Sequence, residues 1–338
     1  YVVTRALRDG HHGGTTGWAA QGVEPLRVGP CSGGRRPGMK SIVIGIPTFN
    51  RQALLTRLLD SLIEEVRSEP AVLRIVVADN ECSDRTREIV LGRQDMPTHY
   101  VPVPERGLSH VRNAIIRAAG EQVPDWDWLV MLDDDGMVTP GWLKALIDCG
   151  ERFQGDLVGG PVDGLVPDDA PVLARVSHFA GRETHPTGPI DRLQTTQNLA
   201  ISRRVEGLLG FPLFDVRFNG SGGEDYDLFR RTQRAGGTLV WCDEALVLEP
   251  TPADRLTNQA LLSRAYTTGT YMGQLRRLHD GTRREVTGAA RGLVSSVAKL
   301  GLGMVSLNSE RTARASLDVA HAVGRVAGLI GSRTSRYM

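Results

Sequence analysis

Residues 128–135 read Trp128-Leu129-Val130-Met131-Leu132-Asp133-Asp134-Asp135. Five apolar residues in succession, with no polar partner to alternate with, predict a short strand buried on both faces. Strands of that kind belong to parallel sheets covered by helices. The three carboxylates that end the strand repel one another, an arrangement that stability alone explains poorly. A divalent cation relieves it: Mg²⁺ or Mn²⁺ takes hard oxygen donors and bridges one or two carboxylates to substrate phosphates.

The same rhythm extends outward. Toward the N-terminus, residues 41–46 and 73–78 are short β-branched runs and predict strands, with a third over 99–103. Residues 52–67 place Leu54, Leu55, Leu58, Leu59, Leu62 and Ile63 on one helical face. Ser83 and Ser109 are expected to cap helices running to residues 90 and 119. Toward the C-terminus, Thr139-Pro140 offers an N-cap and a first helical position for a helix to Cys149, and residues 156–160 predict another strand. Residues 163–195, rich in Pro, Asp and Gly, are expected to form a long loop or lid. Regular structure resumes over 198–202, in a helix over 225–235 and in strands near 238–241 and 246–248. From residue 256 onward the chain turns helical. The alternation defines the class as α/β: a Rossmann-type, mostly parallel sheet with helices on both faces. Ligands of such sheets lie beyond the carboxyl ends of the strands.

Composition narrows the function classes. Forty Lys and Arg against 39 Asp and Glu leave a net charge of +1, so no global basic field draws nucleic acid. Cys31, Cys82, Cys149 and Cys242 are scattered, neither a metal knuckle nor a disulfide framework. They are expected to be thiols in a reducing cytoplasm. No stretch reaches the 18 or so unbroken apolar residues of a membrane span. Residues 1–38 lack an apolar signal core and are rich in Gly and Arg. They are expected to be a disordered or non-native extension ahead of Met39.

Polar motifs fall at the predicted strand ends. Pro47-Thr48-Phe49-Asn50-Arg51 follows the first strand, where it is either a plain turn or a seat for a flat ligand. Asp79-Asn80 follows the second; an acid there either caps the next turn or accepts a hydrogen bond from a base or ribose. Gly107-Leu108-Ser109-His110-Val111-Arg112-Asn113 puts Arg112 and Asn113 one turn into a helix, where a guanidinium can meet phosphate oxygens or form a surface ion pair. Gly222-Gly223-Glu224-Asp225-Tyr226-Asp227-Leu228 delivers two adjacent acids to a helix start. One of them can act as general base, or both can simply complement the helix dipole. Packing of Leu228 and Phe229 on the sheet is expected to turn Asp225 inward and leave Glu224 toward the acceptor side.

In this order the motifs resemble the inverting family-two glycosyltransferases of GT-A fold, over roughly residues 41–277. Trp241-Cys242 and Glu249-Pro250 with Arg255 complete the pattern. Within that family the chain is most similar to bacterial transferases that build exopolysaccharide repeat units on lipid carriers, of the succinoglycan type. The resemblance implies a catalytic domain over 39–277 and a sugar moved from a nucleotide sugar, usually UDP-linked, to a hydroxyl of a glycan or lipid-linked acceptor. It further implies that Pro47, Thr48 and Asn50 line the base and ribose pocket and that Asp79 bonds the base. Arg112 would lie near the diphosphate or ribose, Asp133 at ribose or sugar, and Asn198 in the sugar pocket. Arg51, Asn113 and Asp134 join this nucleotide-sugar set. Asp135 would hold Mn²⁺ or Mg²⁺, and Asp225, or else Glu224, would deprotonate the acceptor. Many relatives carry a late His as a second metal ligand; here Glu249 stands at the nearest comparable place.

Residues 278–338 are expected to form a helical appendage, with amphipathic helices over about 285–300 and 309–331. Arg276, Arg277, Arg283, Arg284, Arg291 and Lys299 flank the first. Such helices either lie peripherally on the inner face of the cell membrane, or pack on the domain, or pair in a homodimer. A nucleotidyltransferase of related fold would carry a Gly-rich basic loop where Pro47–Arg51 stands. A non-catalytic sugar- or nucleotide-binding protein would have no need of Asp135 and Asp225.

Overall fold

A computed structural model describes residues 40–68 and 72–332. The expectations for residues 1–38, Cys31 among them, lie outside the described residues. The first half alternates as expected: β1 (Ile42–Thr48), α1 (Gln52–Ser68), β2 (Val72–Asp79), α2 (Thr86–Gly92), β3 (Thr98–Pro102), α3 (Leu108–Gln122) and β4 (Trp128–Leu132). There follow β5 (Met137–Val138), α4 (Trp142–Phe153), β6 (Leu157–Gly159), β7 (Val162–Leu165), α5 (Val172–Arg175), β8 (Gly188–Pro189), β9 (Asn198–Ser202) and α6 (Arg204–Leu209). The chain closes with α7 (Glu224–Arg234), β10 (Leu239–Trp241), β11 (Val247–Pro250), α8 (Asn258–Asp280), α9 (Thr282–Val305) and α10 (Ser309–Leu329).

Eight strands form the main sheet in the order β3-β2-β1-β4-β9-β6-β10-β8. The ladders β3-β2, β2-β1, β1-β4 and β6-β10 are parallel. On either side of β9, and between β10 and β8, pairing is antiparallel. The apolar run 198–202 reads the same in either direction, so the sequence carries no sign of this reversal. Nor did it disclose the small second sheet, β5-β11-β7, which forms from segments too short to show a period.

Period-2 alternation splits the core across the sheet. Ile42, Ile44 and Ile46 of β1 face α1 and α4, where Leu55, Leu58, Leu59 and Trp142 pack. Val43 of β1, with Leu129 and Met131 of β4, faces α3 and α7, which supply Val111, Ile115, Leu228 and Phe229. At Gly45 the Ile115 side chain of α3 packs onto β1 so closely that a methyl would run into it.

Two expected caps are replaced by distant side chains. Helix α4 begins at Trp142 after Gly141 in a left-handed conformation, φ 79°, and not at Thr139-Pro140. Its first amides are satisfied by buried Glu65 of α1, which accepts from Gly141 N at 2.7 Å and Leu143 N at 3.0 Å. Helix α3 begins at Leu108, so Ser109 lies inside it. Asn219 caps it instead, accepting from Ser109 N at 2.8 Å. Asp84, and not Ser83, accepts from the first amide of α2.

The segment expected as a loop or lid is anchored. Leu173, Ala174 and Phe179 share a third apolar cluster with Leu256 and Leu261, and Leu317 of α10 packs against it. The three C-terminal helices form a bundle in which α8 and α10 touch backbone to backbone. A methyl on Gly269 or Gly273 would strike carbonyls of His321 or Arg325, and one on Gly324 or Gly328 would strike Tyr266 or Thr270. This is small-residue packing at four-residue spacing on both partners. Glu285 of α9 receives Arg325 of α10 bidentately at 2.7 and 2.8 Å. The expected boundary at 277/278 falls in the last turn of α8, which runs unbroken to Asp280.

Candidate functional site

The carboxyl ends of β1 and β4 lie side by side in one parallel ladder, which brings two of the motifs together. Thr48 donates to Asp134 at 2.8 Å. Arg51 lies just past β1 and donates to Asp134 at 2.9 Å and to Asp135 at 3.0 Å. Arg255 reaches Asp135 from the far side at 3.4 Å. Asp134 and Asp135 are both buried. Burial pushes the Asp134 carboxyl up to about 6; Arg51 opposes the rise and Asp135 adds to it. Asp133 is raised too, by desolvation first, against the pull of Arg112 and with the push of Asp135.

Arg112 is almost wholly buried and links the two acidic motifs. It donates to Glu224 at 2.6 Å and approaches Asp133 at 3.5 Å. Glu224 is 3% exposed, and its other carboxylate oxygen is buried with no hydrogen-bond partner. Within the acid pair, Glu224 therefore points into the protein. Its neighbour Asp225 is half-buried and lines a cavity of about 590 Å³. This reverses the expected orientation, although Leu228 and Phe229 do pack on the sheet. The reason is Arg112, a buried charge that demands a carboxylate partner.

Glu249, next to last in β11, lines the same cavity. Gln197 donates to it at 2.9 Å. Burial, then the charges of Asp135 and Asp133, pushes its carboxyl up to about 7. Tyr226 lies beside Asp225, and Tyr271 and Arg276 of α8 and His321 of α10 line the cavity with them. The C-terminal helices are thus part of the site's enclosure, a role that their sequence did not signal.

Other expected site residues are engaged in structure. Asp79 accepts from Cys82 N at 2.6 Å and from the Tyr100 hydroxyl at 2.7 Å. That contact, after burial, pushes the Tyr100 hydroxyl up to about 12. Pro47 sits within β1 opposite Ala78 of β2. Asn50 is exposed in a left-handed conformation, φ 50°, and accepts from Ser83 N at 2.8 Å. Asn113 exchanges two hydrogen bonds with the backbone of Phe214. Asn198 is wholly buried; it accepts from Trp142 and donates to the carbonyls of Pro161 and Ala245. Arg255 and Gln197 are additions: Arg255 appeared in the sequence only as part of the motif pattern, and nothing marked Gln197.

The donor set suits a cation shared with a substrate. Asp133, Asp135 and Glu249 are oxygen donors, and the charge of Asp135 raises the proton affinity of the other two. Among the described residues, no group of three or more His, Cys, Asp or Glu is placed to hold an ion alone. The remaining ligands would have to come from substrate phosphate.

A mostly parallel sheet with acids crowded at its carboxyl edge, set against a helix that opens on a pair of acids, is the build of a GT-A-fold glycosyltransferase. Solved structures share the fold: the mannosyltransferase PcManGT of Pyrobaculum calidifontis superposes with a TM-score of 0.55 at 16% identity over 85% of this chain and 87% of its own. TarS 1-349 of S. aureus does so at 0.50 and 13%, over 86% and 92%. The Glycosyl transferase family 2 profile matches residues 43–179. The succinoglycan biosynthesis protein ExoM of Rhizobium meliloti (strain 1021) is 32% identical over 301 residues, 86% of this chain and 93% of that protein. The chain belongs to glycosyl transferase family 2.

Proposed function

We propose that this protein is an inverting, cation-assisted hexosyltransferase that moves a sugar from a nucleotide sugar, UDP-linked, to a hydroxyl of a glycan or lipid-linked glycan during assembly of a cell-surface polysaccharide. The observation that carries this reading is the Arg112 bridge. One buried guanidinium ties Asp133, at the end of β4, to Glu224, at the start of α7, and so fixes the donor-side acids relative to Asp225. The reading is supported by the relative that is a succinoglycan biosynthesis protein and by neighbours solved with UDP and with GDP-Man and Mn²⁺.

Asp225 takes the proton of the acceptor hydroxyl as its oxygen attacks the anomeric carbon, and the bond from that carbon to the diphosphate breaks on the opposite face. Glu224, neutralised by Arg112, holds the start of α7 and makes no contact with the acceptor. Asp133 and Asp135, with Glu249 behind them, would hold Mn²⁺ or Mg²⁺, which supplies charge stabilisation for the leaving diphosphate. Thr48 and Arg51 fix Asp134, and Pro47, Asn50 and Asp79 border the base and ribose. The 590 Å³ cavity between Asp225 and the C-terminal helices receives the acceptor. Residues 39–277 form the catalytic part, and residues 278–338 hold the protein peripherally on the inner face of the membrane. Calorimetric titration with UDP tests the donor side. Affinity should rise at least about tenfold when Mn²⁺ is present, and equal affinity with and without the ion would refute the shared-cation site.

A further inference from the structure

Helix α9 presents a face that, among the described residues, nothing covers. Val286, Val294, Val297 and Val305 recur at helical spacing and are all exposed, Val305 at 85%. Leu302 in the last turn of α9, 70% exposed, and Leu307 in the turn into α10, 92% exposed, continue the apolar surface. Arg283, Arg284, Arg291 and Lys299 are exposed along the same helix. Its single acid, Glu285, is buried and neutralised by Arg325 of α10. The outward face of α9 therefore carries cations and apolar side chains and no acid of its own, and Asp318 of α10 reaches it only at Lys299, at 3.2 Å. Among the described residues no helix is long and apolar enough to cross a membrane, so the face is suited to lie on a surface and not to span one.

We propose that α9 and the α9–α10 turn form a docking face for an anionic lipid bilayer, and that this face delivers a membrane-held acceptor to the transferase cavity. Valine and leucine side chains enter the headgroup boundary while the heads of Arg283, Arg284 and Arg291 meet lipid phosphates. A second cavity, of about 470 Å³, opens in the crook of the turn between Lys299, Leu302 and Arg311. Arg314 and Asp318 of α10 line both it and the Asp225 cavity, so the docking face and the acceptor cavity share a wall. An acceptor whose tail stays in the bilayer can therefore reach Asp225 across α10. The delivery step rests on the glycosyltransferase reading of that cavity; the docking step does not.

Flotation of the full chain with vesicles of phosphatidylglycerol and phosphatidylcholine, against vesicles of phosphatidylcholine alone, tests the docking face. Binding should require the anionic lipid and weaken with salt. Replacing Arg283, Arg284 and Arg291 together by Ala should lower partitioning on the order of 100-fold, and Leu302→Asp with Val305→Asp should lower it at least about tenfold. Melting temperature and metal-dependent hydrolysis of UDP-sugars in solution should stay at the wild-type level in both variants. Equal flotation of variants and wild type, or equal binding to uncharged vesicles, would overturn the proposal. So would a concentration-dependent dimer that Leu302→Asp dissolves while vesicles fail to bind, since the face would then belong to a second copy. Loss of UDP-sugar hydrolysis in the wild type with flotation intact would instead sink the transferase reading and leave the docking face standing.

Discussion

At the residue scale the structure divides the Glu224-Asp225 pair into a buried anchor and an acid that lines the cavity. A general base contributes roughly 10²–10⁴ in rate, so Asp225→Asn should cut transfer by about that factor and leave UDP affinity near the wild-type value. Glu224→Gln should act differently. It weakens the clamp on Arg112, one partner of a buried charge pair whose loss costs about 3–5 kcal/mol, so the melting temperature should fall along with turnover. Kinetics of both variants beside their thermal melts separate the two roles, and an Asp225→Asn enzyme of normal turnover would refute the assignment. Titration offers another handle. The Glu249 carboxyl ordinarily titrates near 4.5 and is raised to about 7 here. Between those values the unfolded chain loses the proton while the folded one keeps it, so stability falls as pH rises through that window. Glu249→Gln should flatten the decline and raise the melting temperature at pH 8 relative to wild type, with little change at pH 4. The raised Asp134 adds a slope of the same sign, which this variant leaves in place. That acids would gather at the strand ends was legible in the sequence, because residue type and strand position alone imply it. Which acid faces in was not, because Arg112 decides it from another element 112 residues away.

Elements show the same limit in their caps and crossings. Strands β1, β2 and β4 and helix α1 were readable because a buried run or a helical stripe is a local signal. The starts of α3 and α4 were not, since Asn219 and Glu65 reach them across the fold. Removing such a remote cap leaves buried amides unmet at about 1–3 kcal/mol, so Glu65→Ala should lower stability by that order in a denaturant melt, whereas Thr139→Ala should change the start of α4 little. The glycines of α8 and α10 were visible as letters, and their meaning appears only when the two helices cross. Gly273→Val should displace α10 from α8, because the added carbons meet the Arg325 backbone and no flexible side chain. Faster proteolysis of the C-terminal helices in that variant is the expected readout.

At the scale of the whole molecule, two layers that read as separate in sequence enclose one cavity. The α/β domain contributes Asp225 and Glu249 to the lining, and α8 and α10 contribute Tyr271, Arg276 and His321. The helical region was legible as helices with basic flanks, but its partners were not, because an amphipathic stripe does not name the surface that covers it. The central claim is that this enclosure turns over a nucleotide sugar. The most direct test is UDP release from a panel of UDP-sugars, measured for wild type and Asp135→Asn in Mn²⁺ and in chelator. At least one donor should be hydrolysed slowly by the wild type with Mn²⁺, and chelator or the Asp135→Asn change should abolish that release. Turnover of no donor, or turnover that survives both chelator and the loss of Asp135, would contradict it.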